Sequence, residues 1–405
     1  MLRRLLAPYV HLMRRPHFAR MVLSAGAAFA PFGMLALALV LFARDATGSY
    51  GKAGIVVAAA NFGRAVLSPG RGRSVDRHGP ARVLPVLGVA YVAAIAALIG
   101  AASLGAGVIA LAAIAVVVGA TPPPVNATLR AVWTPMLPEE DRQTAYSVHT
   151  MIQEVSFLVS PLLVALVVTV ASPSVALWIS SLGMLAATLV FATATPVRAH
   201  GGSHEHHPVF GVVRAPGMPV LLGTVVCFAA CFGALDIAAP AFAGKHGDRA
   251  LAGPMLAALS VGVVLGTIVY GTRRSGRSAA RRYPRSCALA AAGLALTLAG
   301  VSIPDMSAWM FLAGIAIAPA TTCGFLVLAE IADPSRLTEA TAWFSAAASV
   351  GLSVGALAGG LVIDALGPRG GMAAAVACGT LAWLVAQTGR GSLKPAGATP
   401  SEAPA

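Results

Sequence analysis

The chain has 405 residues, 57% of them hydrophobic and only 11% charged, with a formal net charge of +13. A soluble domain typically carries about 25% charged residues, so a water-soluble core is excluded. Nucleic acid is excluded as the partner of the positive charge, because the basic residues sit in short loops between apolar runs.

Residues 1–20 carry Arg3, Arg4, Arg14, Arg15 and Arg20. The apolar run after them is too long for a signal peptide and has no cleavage site, so it reads as an uncleaved first span. Runs of similar length recur, each near the roughly 20 residues an α-helix needs to cross a bilayer. Backbone groups in lipid must be satisfied within the segment, which makes these runs helices. Twelve spans are expected, near 21–42, 53–68, 83–101, 106–133, 145–170, 175–194, 218–242, 255–271, 287–301, 309–331, 340–364 and 372–388. The second and ninth are short and should extend into their flanks. With the N-terminus inside, 21 of the 28 lysines and arginines fall in cytoplasmic segments and 5 outside. An odd span count would scramble that bias, so both termini are expected in the cytoplasm.

Spans two and three flank a dense basic loop, 69–82, which includes Gly72, Asp76, Arg77, Gly79 and Arg82. Gly72 and Gly79 permit positive φ at a sharp turn. Asp76 can accept hydrogen bonds at a helix N-terminus. Asn61 and Arg64 share a face of span two near this loop and read as its support. In span four, Pro122, Pro123 and Pro124 must break the hydrogen-bond ladder. That break makes a cavity lining or a simple kink of residues 121–126. Asn126 and Arg130 lie one turn apart beyond it. Arg130 can act as an anchor snorkelling to the surface. Glu154, near the middle of span five beside His149, is expected protonated or paired with Arg130 or Arg64, as structure more than as transport machinery.

The chain divides at 198–217, where the tract His200-Gly201-Gly202-Ser203-His204-Glu205-His206-His207-Pro208 reads as a solvated hinge, with no rigid geometry for a metal. Residues 1–197 then form one six-helix half, 218–389 the second, and 390–405 a disordered tail. A faint repeat supports two halves, since Gly119-Ala120-Thr121-Pro122 resembles the stretch from Gly314 to Pro319, with Pro122 and Pro319 197 residues apart. All five cysteines lie within apolar segments of the second half, so packing is expected of them and not disulfides or metal ligation. Asp236, toward the outer end of span seven, is either a proton or substrate group or an interfacial residue. Glu330 marks the inner end of span ten and reads as solvated. Gly351, Gly355, Gly359 and Gly360 in span eleven have the small-residue spacing that lets helices pack closely, here expected at the interface between halves.

The sequence Gly72-Arg73-Ser74-Val75-Asp76-Arg77-His78-Gly79-Pro80-Ala81-Arg82, set between spans two and three of twelve, resembles the loop motif of the major facilitator superfamily of secondary transporters. Pro80 and Ala81 depart from that family's usual basic pair. The resemblance covers nearly the whole chain and implies an all-α fold of two six-helix halves. It further implies that Asp76 engages the start of span eleven, near Thr338-Glu339-Ala340, as a latch that breaks and reforms during transport. For Arg130 the resemblance implies proton transfer as the alternative to an anchor. Span five carries only Ser160-Pro161 where proton-driven exporters of the family have a longer glycine motif.

The expected function is therefore transport of a small organic molecule by alternating access, as proton-coupled export. The chain is expected as a monomer in a bacterial inner membrane, with protons and lipid as its other partners and no cofactor or metal. Uptake of a sugar, amino acid or other nutrient in the same fold is the alternative. A membrane enzyme or sensor is more remote: the spans hold no catalytic cluster and the tail is too short for an output domain. There is no phosphate-binding Gly-x-x-x-x-Gly-Lys sequence, so ATP is not the driver.

Overall fold

The computed structural model describes residues 18–133, 136–137, 139–199, 213–272, 278–332 and 337–393. The N-terminal residues 1–17, the His-rich tract and most of the tail lie outside the described residues. Among those described there is no strand. The helices are α1 (Phe18–Thr47), α2 (Tyr50–His78), α3 (Pro80–Ser103), α4 (Val108–Ala120), α5 (Val125–Trp133), α6 (Glu139–Val170), α7 (Pro173–Ala192) and the short α8 (Thr195–Ala199). They continue with α9 (Met218–Lys245), α10 (Ala252–Thr272), α11 (Ala279–Ala295), α12 (Ile303–Ile331), α13 (Leu337–Leu366) and α14 (Pro368–Thr388).

Among the described residues, nine of the candidate spans are long and apolar enough to cross a membrane, counting α4 and α5 as one. The chain is thus a multi-pass membrane protein. The three expected spans that fall outside this count are α2, α6 and α11. α2 carries Lys52, Asn61 and Arg64 within its apolar stretch, and the described apolar part of α6 is Leu158–Val170. The third, α11, has 17 residues and carries Arg281, Arg282 and Arg285 in its opening turns. It begins eight residues before the expected start of span nine and runs on through a 3-10 turn, Leu296–Ala299.

The basic segment after span two corrects an expectation. Most of it is not a loop: α2 continues to His78, and a single residue, Gly79, turns the chain into α3. Gly79 has φ +82, a conformation L side chains rarely adopt, and its N–H donates to the Val75 carbonyl at 2.9 Å. Pro80 then opens α3, where its missing N–H costs nothing. Gly72, by contrast, sits inside the helix with ordinary φ.

The chain forms two compact units, Met1–His206 with Asp248–Ala257, and His207–Gly247 with Ala258–Ala405. In the first, α1 packs on α6 and α7, α3 packs on α7, and α2 crosses α4. The Ser160 hydroxyl donates to the Ala30 carbonyl at 3.0 Å and that of Ser180 to the Pro31 carbonyl at 2.6 Å, tying α6 and α7 to the middle of α1. Phe18 stacks on Trp133, ring centroids 5.6 Å apart, and joins α1 to α5. At the α2–α4 crossing a Cβ on Gly63 would overlap the carbonyl of Val116, and one on Gly119 the carbonyl of Ala60.

In the second unit α9 packs on α13 and α14, and α11 on α12 and α14. Gly351 and Gly355 of α13 lie against the carbonyls of Val226 and Ala230 of α9, Gly359 lies against Ala234, and Gly360 is buried. The glycine stripe therefore packs inside one unit, against α9, where the sequence placed it between halves. Helix spacing reveals a close approach but not its partner.

Gly355→Val is expected to cost on the order of 3 kcal/mol, because the added side chain meets the Ala230 backbone, which cannot move aside cheaply. Gly100→Ala, inside α3 with open space around it, should instead gain about 0.5–1 kcal/mol. Unfolding of both variants in detergent checks the pair.

Candidate functional site

Three consecutive prolines offer no N–H, and the structure shows the consequence. Helix ends at Ala120 and resumes at Val125, with Thr121–Pro124 in non-helical backbone and Pro122 and Pro123 buried. The Thr121 hydroxyl turns back to the Val117 carbonyl at 2.8 Å, and Thr128 donates to the Pro124 carbonyl at 3.0 Å. The Pro122 carbonyl is met from another helix. Arg71 Nη1 donates to it at 2.7 Å, while Arg71 Nη2 reaches the Arg64 carbonyl at 3.4 Å. An arginine of the basic segment therefore reaches the break in span four, a contact that sequence spacing gave no sign of.

Arg64 lies at the midpoint of α2, with its guanidinium carbon 4.7 Å from the centroid of the Phe32 ring, at the midpoint of α1. About two turns separate it from Arg71 of the basic segment, whose guanidinium reaches its carbonyl. Four residues after Pro122, Asn126 is half-buried, and its Oδ1 has no hydrogen-bond partner. The break, the two arginines and Asn126 thus form a polar region within the first unit. Arg130 is not part of its buried portion: it is exposed in the last turn of α5.

The other expected residues are more scattered. Asp236 is half-buried in α9, among the buried Leu235 and Ile237. Arg77 and Arg82 are exposed on either side of the Gly79 turn. Glu154 lies in α6, and Asp76 in the last turns of α2. Their side chains, and those of Glu339 and His149, lie outside the described residues.

Two polar clusters were missed by the sequence. In the second unit, Arg282 Nη1 donates to the Tyr270 hydroxyl at 2.9 Å, and that hydroxyl lies 2.9 Å from the Cys323 sulfur. Glu330, expected in water, instead accepts from the N–H groups of Ala279 at 2.8 Å and Ala280 at 3.3 Å. The carboxylate caps α11, where the helix dipole favours an anion. In the first unit, Arg249 pairs with Asp45, and Arg44 lies 5.1 Å over the Tyr50 ring. Among the described residues, no three His, Cys, Asp or Glu side chains form a group able to hold a metal ion.

Comparison with known proteins bears on the whole chain. The family model described as Major Facilitator Superfamily matches residues 21–310 and 221–404. Among solved structures, the chain is similar to the auto-inhibited POT family peptide transporter, at 16% identity and TM-score 0.72, covering 96% of this chain and 99% of that one. It is similar to the nucleoside transporter NupG at 12% identity and TM-score 0.70, covering 93% and 98%. A bacterial homologue of the iron transporter ferroportin in its inward-facing state follows at 15% identity and TM-score 0.66, covering 94% and 99%. Likeness at such identities shows the fold alone. No curated protein matches the sequence.

Arg71→Met should leave the buried Pro122 carbonyl without its donor and cost about 1–3 kcal/mol, while Arg71→Lys, which still donates, should recover part of it. Thermal unfolding of the two variants side by side measures the difference.

Proposed function

From the premise that the chain belongs to the Major Facilitator Superfamily, and so is a membrane transporter and not an enzyme, we propose that it carries a small organic molecule by alternating access. In this reading transport is coupled to protons and directed outward. The protein works as a monomer in a bacterial inner membrane with both termini in the cytoplasm. The observation that best supports handling of cargo is the break at Thr121–Pro124. Non-helical backbone at membrane depth is tolerated where it is buried in protein or lines a water-filled cavity. Here it comes with Arg71 at the Pro122 carbonyl and with an unpartnered Asn126 Oδ1.

Asp236 is the proposed proton carrier, as the half-buried carboxylate of α9. Asp76 and the Gly79 turn are the proposed moving part, with Arg77 and Arg82 keeping that end of α2 and α3 in water. Glu154 and Arg130 have supporting roles, as a structural carboxylate and an inner anchor.

Uptake of a nutrient in the same fold is the second reading. It is favoured by α6, where the Ser160 hydroxyl serves the carbonyls of Ala30 and Ser156 in place of an exporter's glycine motif. The similar structures are named for nucleosides, peptides and iron, which gives no common cargo.

A screen of cells lacking and overexpressing the protein, followed by flux assays in proteoliposomes, tests the reading. An outward proton-driven exporter should lower cellular accumulation of at least one compound and accelerate its flux down an imposed pH gradient. If no compound responds to the protein in either assay, transport as proposed fails. Asp236→Asn should keep counterflow exchange but lose the response to the pH gradient, and gradient-driven flux that survives removes Asp236 from the role. Asp76→Asn should insert normally and slow transport about tenfold or more, and wild-type rates would dismiss Asp76 as the moving part.

A further inference from the structure

We infer that Arg71 and Asn126, at the proline break of the first unit, form a recognition site for a neutral group with a hydrogen-bond acceptor beside a donor. The cargo then carries an amide, lactam or urea edge, a carbonyl with an N–H next to it. This deepens the transporter reading above and rests on it.

Arg71 uses two of its three nitrogens on backbone carbonyls, Nη1 on that of Pro122 at 2.7 Å and Nη2 on that of Arg64 at 3.4 Å. These bonds fix the guanidinium in place. Its third nitrogen, Nε, is buried and has no hydrogen-bond partner. Four residues beyond Pro122, the buried Oδ1 of Asn126 has none either. One donor and one acceptor are thus left over at the break. Buried polar atoms are nearly always paired in native proteins, and each exception calls for an explanation. Repair of the break accounts for neither atom, because a single donor satisfies the Pro122 carbonyl.

The second unit shows that the fold does not require these loose valences. Gly63 and Gly262, each at a close helix crossing, are 199 residues apart, and that offset carries Arg71 onto Tyr270. The 197-residue offset from Pro122 to Pro319 carries Asn126 onto Cys323. Tyr270 and Cys323 meet, hydroxyl to sulfur at 2.9 Å, and Arg282 Nη1 donates to the same hydroxyl at 2.9 Å. The two positions therefore face each other there and satisfy each other. In the first unit the same positions hold a donor and an acceptor that are not bonded to one another. The chemistry of the two atoms selects the ligand. A carboxylate brings only acceptors and sets a negative oxygen against the Asn126 Oδ1. An ammonium brings only donors and sets a positive charge against Arg71. A carbonyl beside an N–H gives the Arg71 Nε–H an acceptor and the Asn126 oxygen a donor.

The test follows the melting temperature of the purified full-length protein in neutral detergent. The probes are benzamide, nicotinamide, caprolactam and phenylurea at millimolar concentration. Each is paired with its fully N-alkylated form, which keeps the carbonyl and loses the N–H. Benzoate, nicotinate and benzyl alcohol serve as anionic and hydroxyl controls. At least one N–H compound should raise the melting temperature while its alkylated partner and the controls do not. Asn126→Leu, which removes the acceptor, should weaken that binding at least tenfold and abolish the preference for the N–H form. Asn126→Gln, which keeps an amide oxygen, should retain part of the preference. A monodisperse elution profile for both variants guards against misfolding. The inference is overturned if no N–H compound shifts the melting temperature, or if the alkylated forms bind wild type equally. It is also overturned if only the carboxylates or the alcohol bind, or if Asn126→Leu keeps the preference. Flux of compounds that lack an N–H amide edge, indifferent to Asn126→Leu, would sink this inference and leave the transporter reading standing. Failure of all flux would sink the reading itself.

Discussion

Every backbone polar group in the lipid must find its partner inside the protein, and the rest of this structure depends on how that demand is met. Regular helix meets it without help. The demand becomes specific where helix fails, and it fails most at Pro122-Pro123-Pro124, where three successive donors are missing. A single proline is absorbed, as at Pro319, which lies inside the unbroken α12. Three are not, and the carbonyl they free is taken up by Arg71 from α2. That arginine can reach it because α2 and α4 approach closely at Gly63 and Gly119. The glycines, the prolines and the arginine are thus one arrangement, although they lie on separate helices.

The second unit repeats the scaffold and changes the chemistry. Gly262 of α10 and Gly314 of α12 make the same kind of crossing, each against a carbonyl of the other helix. Near the end of α10, Arg282 donates to the Tyr270 hydroxyl, which lies beside the Cys323 sulfur. With α12 unbroken there, the guanidinium serves a side chain and not an orphaned carbonyl. The sequence repeat around Gly119 and Gly314 is thus a repeat of helix crossings, and the polar groups placed upon it have diverged.

Much of this was legible from residue order. Apolar length announced helices where the structure has them, because the thickness of lipid fixes how long a span must be. The proline run announced its break because a missing N–H has no remedy within its own helix. Gly79 announced a turn for the same local reason. What could not be read were choices between partners distant in sequence. The stripe from Gly351 to Gly359 promised close packing without saying that α9 would be the neighbour. Glu330 looked like one more charge at a helix end until α11 placed two free N–H groups against it. The segment after span two looked like a loop because charge was taken to end the helix, whereas charge ends only the lipid-buried part. Water satisfies the outer face of a helix as well as it does a loop, so α2 runs on to the first residue that demands positive φ.

Arg64 shows what residue order conceals about a basic residue near a charged segment. On sequence it was one of several such residues, and its proximity to that segment suggested a supporting part. The structure gives it particular contacts: the guanidinium stacks on the Phe32 ring of α1, and the carbonyl accepts from Arg71 Nη2 at 3.4 Å. Arg71 in turn is held at the proline break by its 2.7 Å bond to the Pro122 carbonyl. The break and the arginine occur together for one reason: an exposed carbonyl in lipid needs a donor, and a long guanidinium can supply it from a neighbouring helix.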